Sequence, residues 1–107
     1  MLDVTDNTVE ESLNSAELPV LMYVWAPWCG PCKMVGAALE RVAAKASGRF
    51  QIVKANMEEF EVGAERYEVK TTPTLIIFQN GQELCRRSGA VMEGQITAWL
   101  NQNLPAS

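Results

Sequence analysis

A chain of 107 residues, 48% hydrophobic and 21% charged, has the apolar content to build one buried core, so a single domain over residues 1–107 is expected and a disordered chain is excluded. The net charge of -4 argues against nucleic acid as a partner, because phosphate binding needs a basic face. No apolar run approaches the length of a membrane span, and the absence of histidine removes His-based acid–base chemistry, serine-type triads and an ordinary zinc site.

The opening stretch Met1-Leu2-Asp3-Val4-Thr5-Asp6-Asn7 is acidic and has neither a basic n-region nor an apolar h-region; no export signal is expected there, and a cytoplasmic address is the expectation. Thr8 followed by Glu11 has capping-box spacing and predicts a short helix, with Pro19 ending the connection after it. Val20-Leu21-Met22-Tyr23-Val24-Trp25 shows no polar alternation, as expected of a central parallel strand covered on both faces. The chain then turns at Ala26-Pro27-Trp28-Cys29-Gly30-Pro31-Cys32. From Lys33 onward Val35, Leu39, Val42 and Ala46 recur at helical spacing, predicting an amphipathic helix that stops near Ser47-Gly48.

A second strand is predicted over residues 50–55, followed by Asn56 as the cap of a helix carrying Phe60, Ala64 and Tyr67 on one face. The runs 74–79 and 82–87 flank Asn80-Gly81, a dipeptide that demands a tight hairpin. A last helix carries Ile96, Trp99, Leu100 and Leu104. Strands alternating with helices and closing on a hairpin predict an α/β fold, a central mixed β-sheet flanked by helices on both faces.

Three cysteines, two of them in a Cys-X-X-Cys spacing, suit a catalytic dithiol better than a disulfide scaffold. At the junction of a strand and a helix, the first thiol meets unpaired backbone N–H groups and the positive end of the helix dipole, which favour the thiolate. Cys29 is therefore the expected nucleophile, and Cys32, one turn into the helix, the expected resolving thiol. Gly30 and Pro31 let the turn tighten and the helix begin. Half of a zinc site or an inert disulfide are the other readings of such a pair, and neither a second cysteine pair nor a histidine supports them.

The segment Trp25-Ala26-Pro27-Trp28-Cys29-Gly30-Pro31-Cys32-Lys33-Met34 resembles the thioredoxin active-site segment almost letter for letter. Pro73-Thr74, Asn80-Gly81 and Gly89-Ala90 fall where that family has its own, so the resemblance to the thioredoxin fold covers nearly the whole chain. It implies a cis peptide bond before Pro73, a Thr72 backbone free to pair with a substrate strand, and a shallow contact surface made of Trp28, Gly30, Pro31, Thr72, Pro73, Gly89 and Ala90. It also implies a protein-disulfide reductase that works on disulfides in other proteins, as a monomer without cofactor or metal, and receives electrons from a thioredoxin reductase.

Several positions depart from the family pattern. Tyr23 stands where a buried aspartate usually lies beneath the second cysteine as its proton acceptor, and a phenol with a pKa of about 10 is a poor base at neutral pH; weak activity is the expectation. Lys54, which normally faces that aspartate, is expected to be a solvated lysine at a strand end. Met57, Thr72 and Ser88 replace apolar residues near the contact surface, and Ala37 replaces a helix-kinking proline, so the helix is expected to run straighter. Cys85 is extra, and reads as a small buried hydrophobe rather than a regulatory or intermolecular thiol. An oxidant or isomerase, and a docking module with a regulatory dithiol, are the alternatives to a reductase.

Overall fold

The computed structural model describes residues 1–46 and 48–105. The strands are β1 (Leu2–Val4), β2 (Val20–Trp25), β3 (Gln51–Asn56), β4 (Thr74–Gln79) and β5 (Gln82–Ser88), and the α-helices are α1 (Val9–Asn14), α2 (Gly30–Lys45), α3 (Glu61–Arg66) and α4 (Glu93–Asn103). The five strands form one sheet in the order β1-β3-β2-β4-β5. β1 and β2 run parallel to β3, whereas β4 runs antiparallel to β2 and to β5. The sheet is mixed and helices cover both faces, as the pattern predicted.

Strand alternation decides which side chains meet which helices. Val20, Met22 and Val24 of β2 face a cluster that includes Val9 and Leu13 of α1, Phe60 and Ala64. Leu21 and Tyr23 face the opposite cluster, with Val35, Leu39 and Val42 of α2 and Ile96, Trp99 and Leu100 of α4. Because both faces are covered, β2 is apolar along its whole length and buried from Val20 to Val24. Tyr23 is thereby placed underneath α2. Glu93, at the start of α4, accepts from Arg41 Nε at 2.6 Å and Lys45 Nζ at 2.9 Å and ties the two helices together.

Three local readings need correction. The Thr8–Glu11 capping box does not form: Thr8 has near-helical backbone angles, and its Oγ1 accepts from the amide of Thr5 at 2.9 Å, turned back on the preceding loop. α2 starts at Gly30 with Cys29 as its N-cap, as the reading of the dithiol at a strand–helix junction expected. The single helix expected after Asn56 is two pieces, a 3₁₀ turn over Met57–Glu59 and then α3. Asn56 caps only the first, by accepting from the Glu58 amide at 3.0 Å, while Asp6 accepts from the Val62 and Gly63 amides at 3.2 and 2.7 Å. Finally, β1 was not anticipated from its three residues. Of the predicted stop of α2 at Ser47-Gly48, Ser47 lies outside the described residues. The hairpin is as its dipeptide demands, with Asn80 and Gly81 at φ 53° and 79°.

Candidate active site

Register brings three loops to one end of the sheet. Val24 of β2 pairs with Thr74 of β4, and Thr74 pairs with Ser88 of β5. The chain leaves β2 toward Cys29, enters β4 from Thr72-Pro73, and leaves β5 toward Gly89-Ala90, so these segments share the same edge of the molecule. Trp25 pairs with Asn56, which adds Met57 to that end.

Cys29 is extended (φ -86°, ψ 108°) and caps α2, and its amide donates to the carbonyl of Ala26 at 3.1 Å. It is joined to Cys32 in a disulfide whose Cα atoms are 5.4 Å apart. The pair sits in a small apolar seat with Ala26, against Trp25 and Met57. Cys29 is 8% exposed and Cys32 2%, while the neighbouring Trp28 is 68% exposed. On reduction, the thiol at the N-cap meets the unpaired amides of the first helical turn, and the thiol one turn in is withdrawn from solvent. Gly30 and Pro31 are exposed beside them.

The second group of predicted site residues is held together by its own bonds. The Thr72–Pro73 peptide is cis, and the Pro73 carbonyl accepts from the amide of Gly89 at 3.0 Å. Gly89 takes φ 90°, a conformation that glycine adopts at little cost. Thr74 Oγ1 donates to the Thr71 carbonyl at 2.7 Å and lies 3.3 Å from Ser88 Oγ. Thr72 is half-buried, Pro73 is buried, and Gly89 and Ala90 are exposed.

Tyr23 is 3% exposed, and its hydroxyl donates to the main-chain carbonyl of Cys32 at 2.6 Å. Burial pushes its phenol up to about 12, so the group stays protonated and acts as a donor. A Cβ at Gly36 would lie 3.3 Å from Tyr23 Oη, so the glycine leaves room for the ring. Beside this pair is a cavity of about 310 Å³, lined by Tyr23, Trp25, Cys32, Gly36, Glu40 and Lys54 among others. Trp25 Nε1 is buried and meets no hydrogen-bond partner among the described residues.

Lys54 is not the solvated strand-end lysine expected. Its side chain is 30% exposed, its ammonium lies over the Trp25 ring, and Asp3 Oδ1 is 4.0 Å away. Ala37 is exposed on an unbroken α2. Cys85 is half-buried against the α2–α4 cluster, and its thiol is pushed up by burial and then by Glu83. Gly36, Glu40 and Trp25 were missed as neighbours of Cys32, although residues four and eight positions along the helix share its side, and Trp25 shares a strand face with Tyr23. Among the described residues no group of three or more His, Cys, Asp or Glu side chains is placed to hold a metal ion, and no helix is long and apolar enough to cross a membrane.

A disulfide closed between the N-cap and first turn of a helix, at the end of the central strand of a mixed α/β sheet, defines a thiol–disulfide oxidoreductase. The Thioredoxin family model matches residues 1–102. Thioredoxin from Haemophilus influenzae is 33% identical over 104 residues, with 97% of each chain covered. Thioredoxin 1 from Nostoc sp. is 37% identical over 101 residues, 94% of each chain, and thioredoxin from Pseudomonas aeruginosa 36% over 104 residues, 97% of this chain and 96% of that one. The chain belongs to the thioredoxin family, and its activity is protein-disulfide reduction by dithiol–disulfide exchange.

Proposed function

We propose that Cys29 is the attacking thiol and Cys32 the resolving one. The Cys29 thiolate attacks one sulfur of a substrate disulfide, forming a mixed disulfide and releasing the other sulfur as a thiolate. The Cys32 thiolate then attacks the Cys29 sulfur; the Cys29–Cys32 disulfide closes and the second substrate thiol leaves. Two electrons from a thioredoxin reductase, the donor that family membership implies, reopen it. Trp28, Gly30, Pro31, Thr72, Pro73, Gly89 and Ala90 form the surface that a protein substrate touches. All of these residues come from one chain, so a monomer built as one domain suffices, and the cytoplasm is the compartment where a dithiol of this kind stays reduced.

The observation that carries this reading is the pairing of a less buried cysteine at the helix N-cap with a more buried one a turn later. Cys29→Ser should abolish reduction of an insulin-like substrate, and Cys32→Ser should accumulate a mixed disulfide that mass spectrometry detects. Reduction by the Cys29→Ser protein would reverse the assignment. Partner binding that survives replacement of both cysteines, with no turnover in the parent protein, would favour a docking module.

A further inference from the structure

Among the described residues, Tyr23 is the one polar side chain that reaches the main chain of the dithiol from the sheet side. Its hydroxyl contacts the carbonyl of Cys32, which lies in the first turn of α2. In an α-helix that carbonyl already accepts from the amide four residues on, here Gly36, so the tyrosine takes up its second lone pair. Gly36 itself is the residue whose missing Cβ leaves the hydroxyl its place. The O–H bond points its positive end at the first turn and its oxygen away from it. This adds to the positive potential that the helix N-terminus already presents to sulfur.

We propose, building on the Cys29–Cys32 assignment above, that Tyr23 is a positioning residue for the dithiol: its bond to the Cys32 carbonyl holds the first turn of α2 on β2 and favours the reduced pair over the disulfide. The consequence is an exchange equilibrium. Reduced protein and glutathione disulfide give protein disulfide and two molecules of glutathione, and a device that stabilises the thiolate shifts this equilibrium toward the reduced protein. The charged side chains near Cys32 and Tyr23 are Lys33 and Glu40 on α2 and Lys54 on β3, with Asp3 of β1 behind Lys54, and Met1, which carries an α-amino group, lines the same cavity. Tyr23→Phe leaves all of these in place and keeps the ring, so the difference between the proteins reports the hydroxyl.

The test equilibrates the parent protein, Tyr23→Phe, Gly36→Ala and the double variant against glutathione buffers, and follows alkylation of Cys29 against pH by mass spectrometry. Tyr23→Phe should raise the equilibrium constant for disulfide formation about threefold and move the midpoint of Cys29 alkylation to higher pH. Gly36→Ala should act in the same direction, because its methyl meets the hydroxyl, and should add little once the hydroxyl is gone. A Tyr23→Phe protein that melts earlier but keeps the parent constant and alkylation profile would reduce Tyr23 to a core residue, and a shift in the opposite direction would overturn the proposal outright. Should Tyr23→Phe fail to fold, Gly36→Ala alone decides by the same two readouts. Failure of the Cys29 assignment is read separately, as substrate reduction surviving Cys29→Ser.

Discussion

Lys54 lies across the indole of Trp25, its ammonium 5.7 Å from the ring centroid and 4.0 Å from Asp3 Oδ1. The aromatic contact is the stronger of the two, since the lysine is half-buried there while the Asp3 side chain is 81% exposed and its ion pair is long. Lys54→Met keeps the stem over the ring and removes the charge, and should cost about 1 kcal/mol or less in urea unfolding. Asp3→Asn should change stability by less than that. A larger loss from Asp3→Asn would invert this ranking.

Replacing Tyr23 by aspartate tests what the tyrosine withholds. A carboxylate beneath Cys32 supplies a proton acceptor for the second step, and a positioned base accelerates such a step about a hundredfold. It also loses a buried ring and buries an imperfectly paired charge, at a cost of about 2–3 kcal/mol. Tyr23→Asp should therefore turn over faster near neutral pH and melt earlier. Superimposable turnover–pH profiles for the two proteins would show that proton transfer at this position limits nothing.

The buried phenol also predicts an alkaline limit. Its pKa is raised by burial to about 12, so the stability it contributes is fully present below the unfolded value of about 10 and is lost as pH rises through the folded one. The parent protein should lose about 2–3 kcal/mol relative to Tyr23→Phe across that window. Denaturant midpoints of both proteins measured across it give the difference directly. A gap that stays constant with pH would mean that Tyr23 ionises as easily in the fold as outside it.

Cys85 should be a poor nucleophile. Burial and Glu83 both raise its thiol, and it packs against the α2–α4 cluster opposite Ile77. With the Cys29–Cys32 disulfide intact, iodoacetamide should modify Cys85 more slowly than a free cysteine at mildly alkaline pH, and Cys85→Ser should leave reduction kinetics unchanged. Rapid labelling, or a kinetic defect in the serine variant, would give this thiol a part in the redox cycle.

The parts of the fold readable from sequence are those whose signal is continuous or local. β2 is an unbroken apolar run because both of its faces are covered, and Asn80-Gly81 specifies its turn by two left-handed residues. β1 carries no such signal: only Val4 of its three residues is buried, and its partner Ala55 lies far along the chain. The cap of α3 was hidden for the same reason, since Asp6 reaches it from before α1. At the site, the dithiol and its order along the helix were legible from spacing alone. The bond from Tyr23 was not, because its acceptor is a main-chain carbonyl, which has no letter of its own in a sequence.

The central place of β2 has a consequence for hydrogen exchange. Its amides are bonded between β3 and β4 under two covered faces, so those of Met22, Tyr23 and Val24 should exchange with deuterium only through global unfolding, whereas the edges at β1 and β5 can open locally. Cys29 follows β2 after a single short turn. The redox pair is thus fastened to a strand that should be among the last to exchange, so the dithiol should keep its place when the edge strands open.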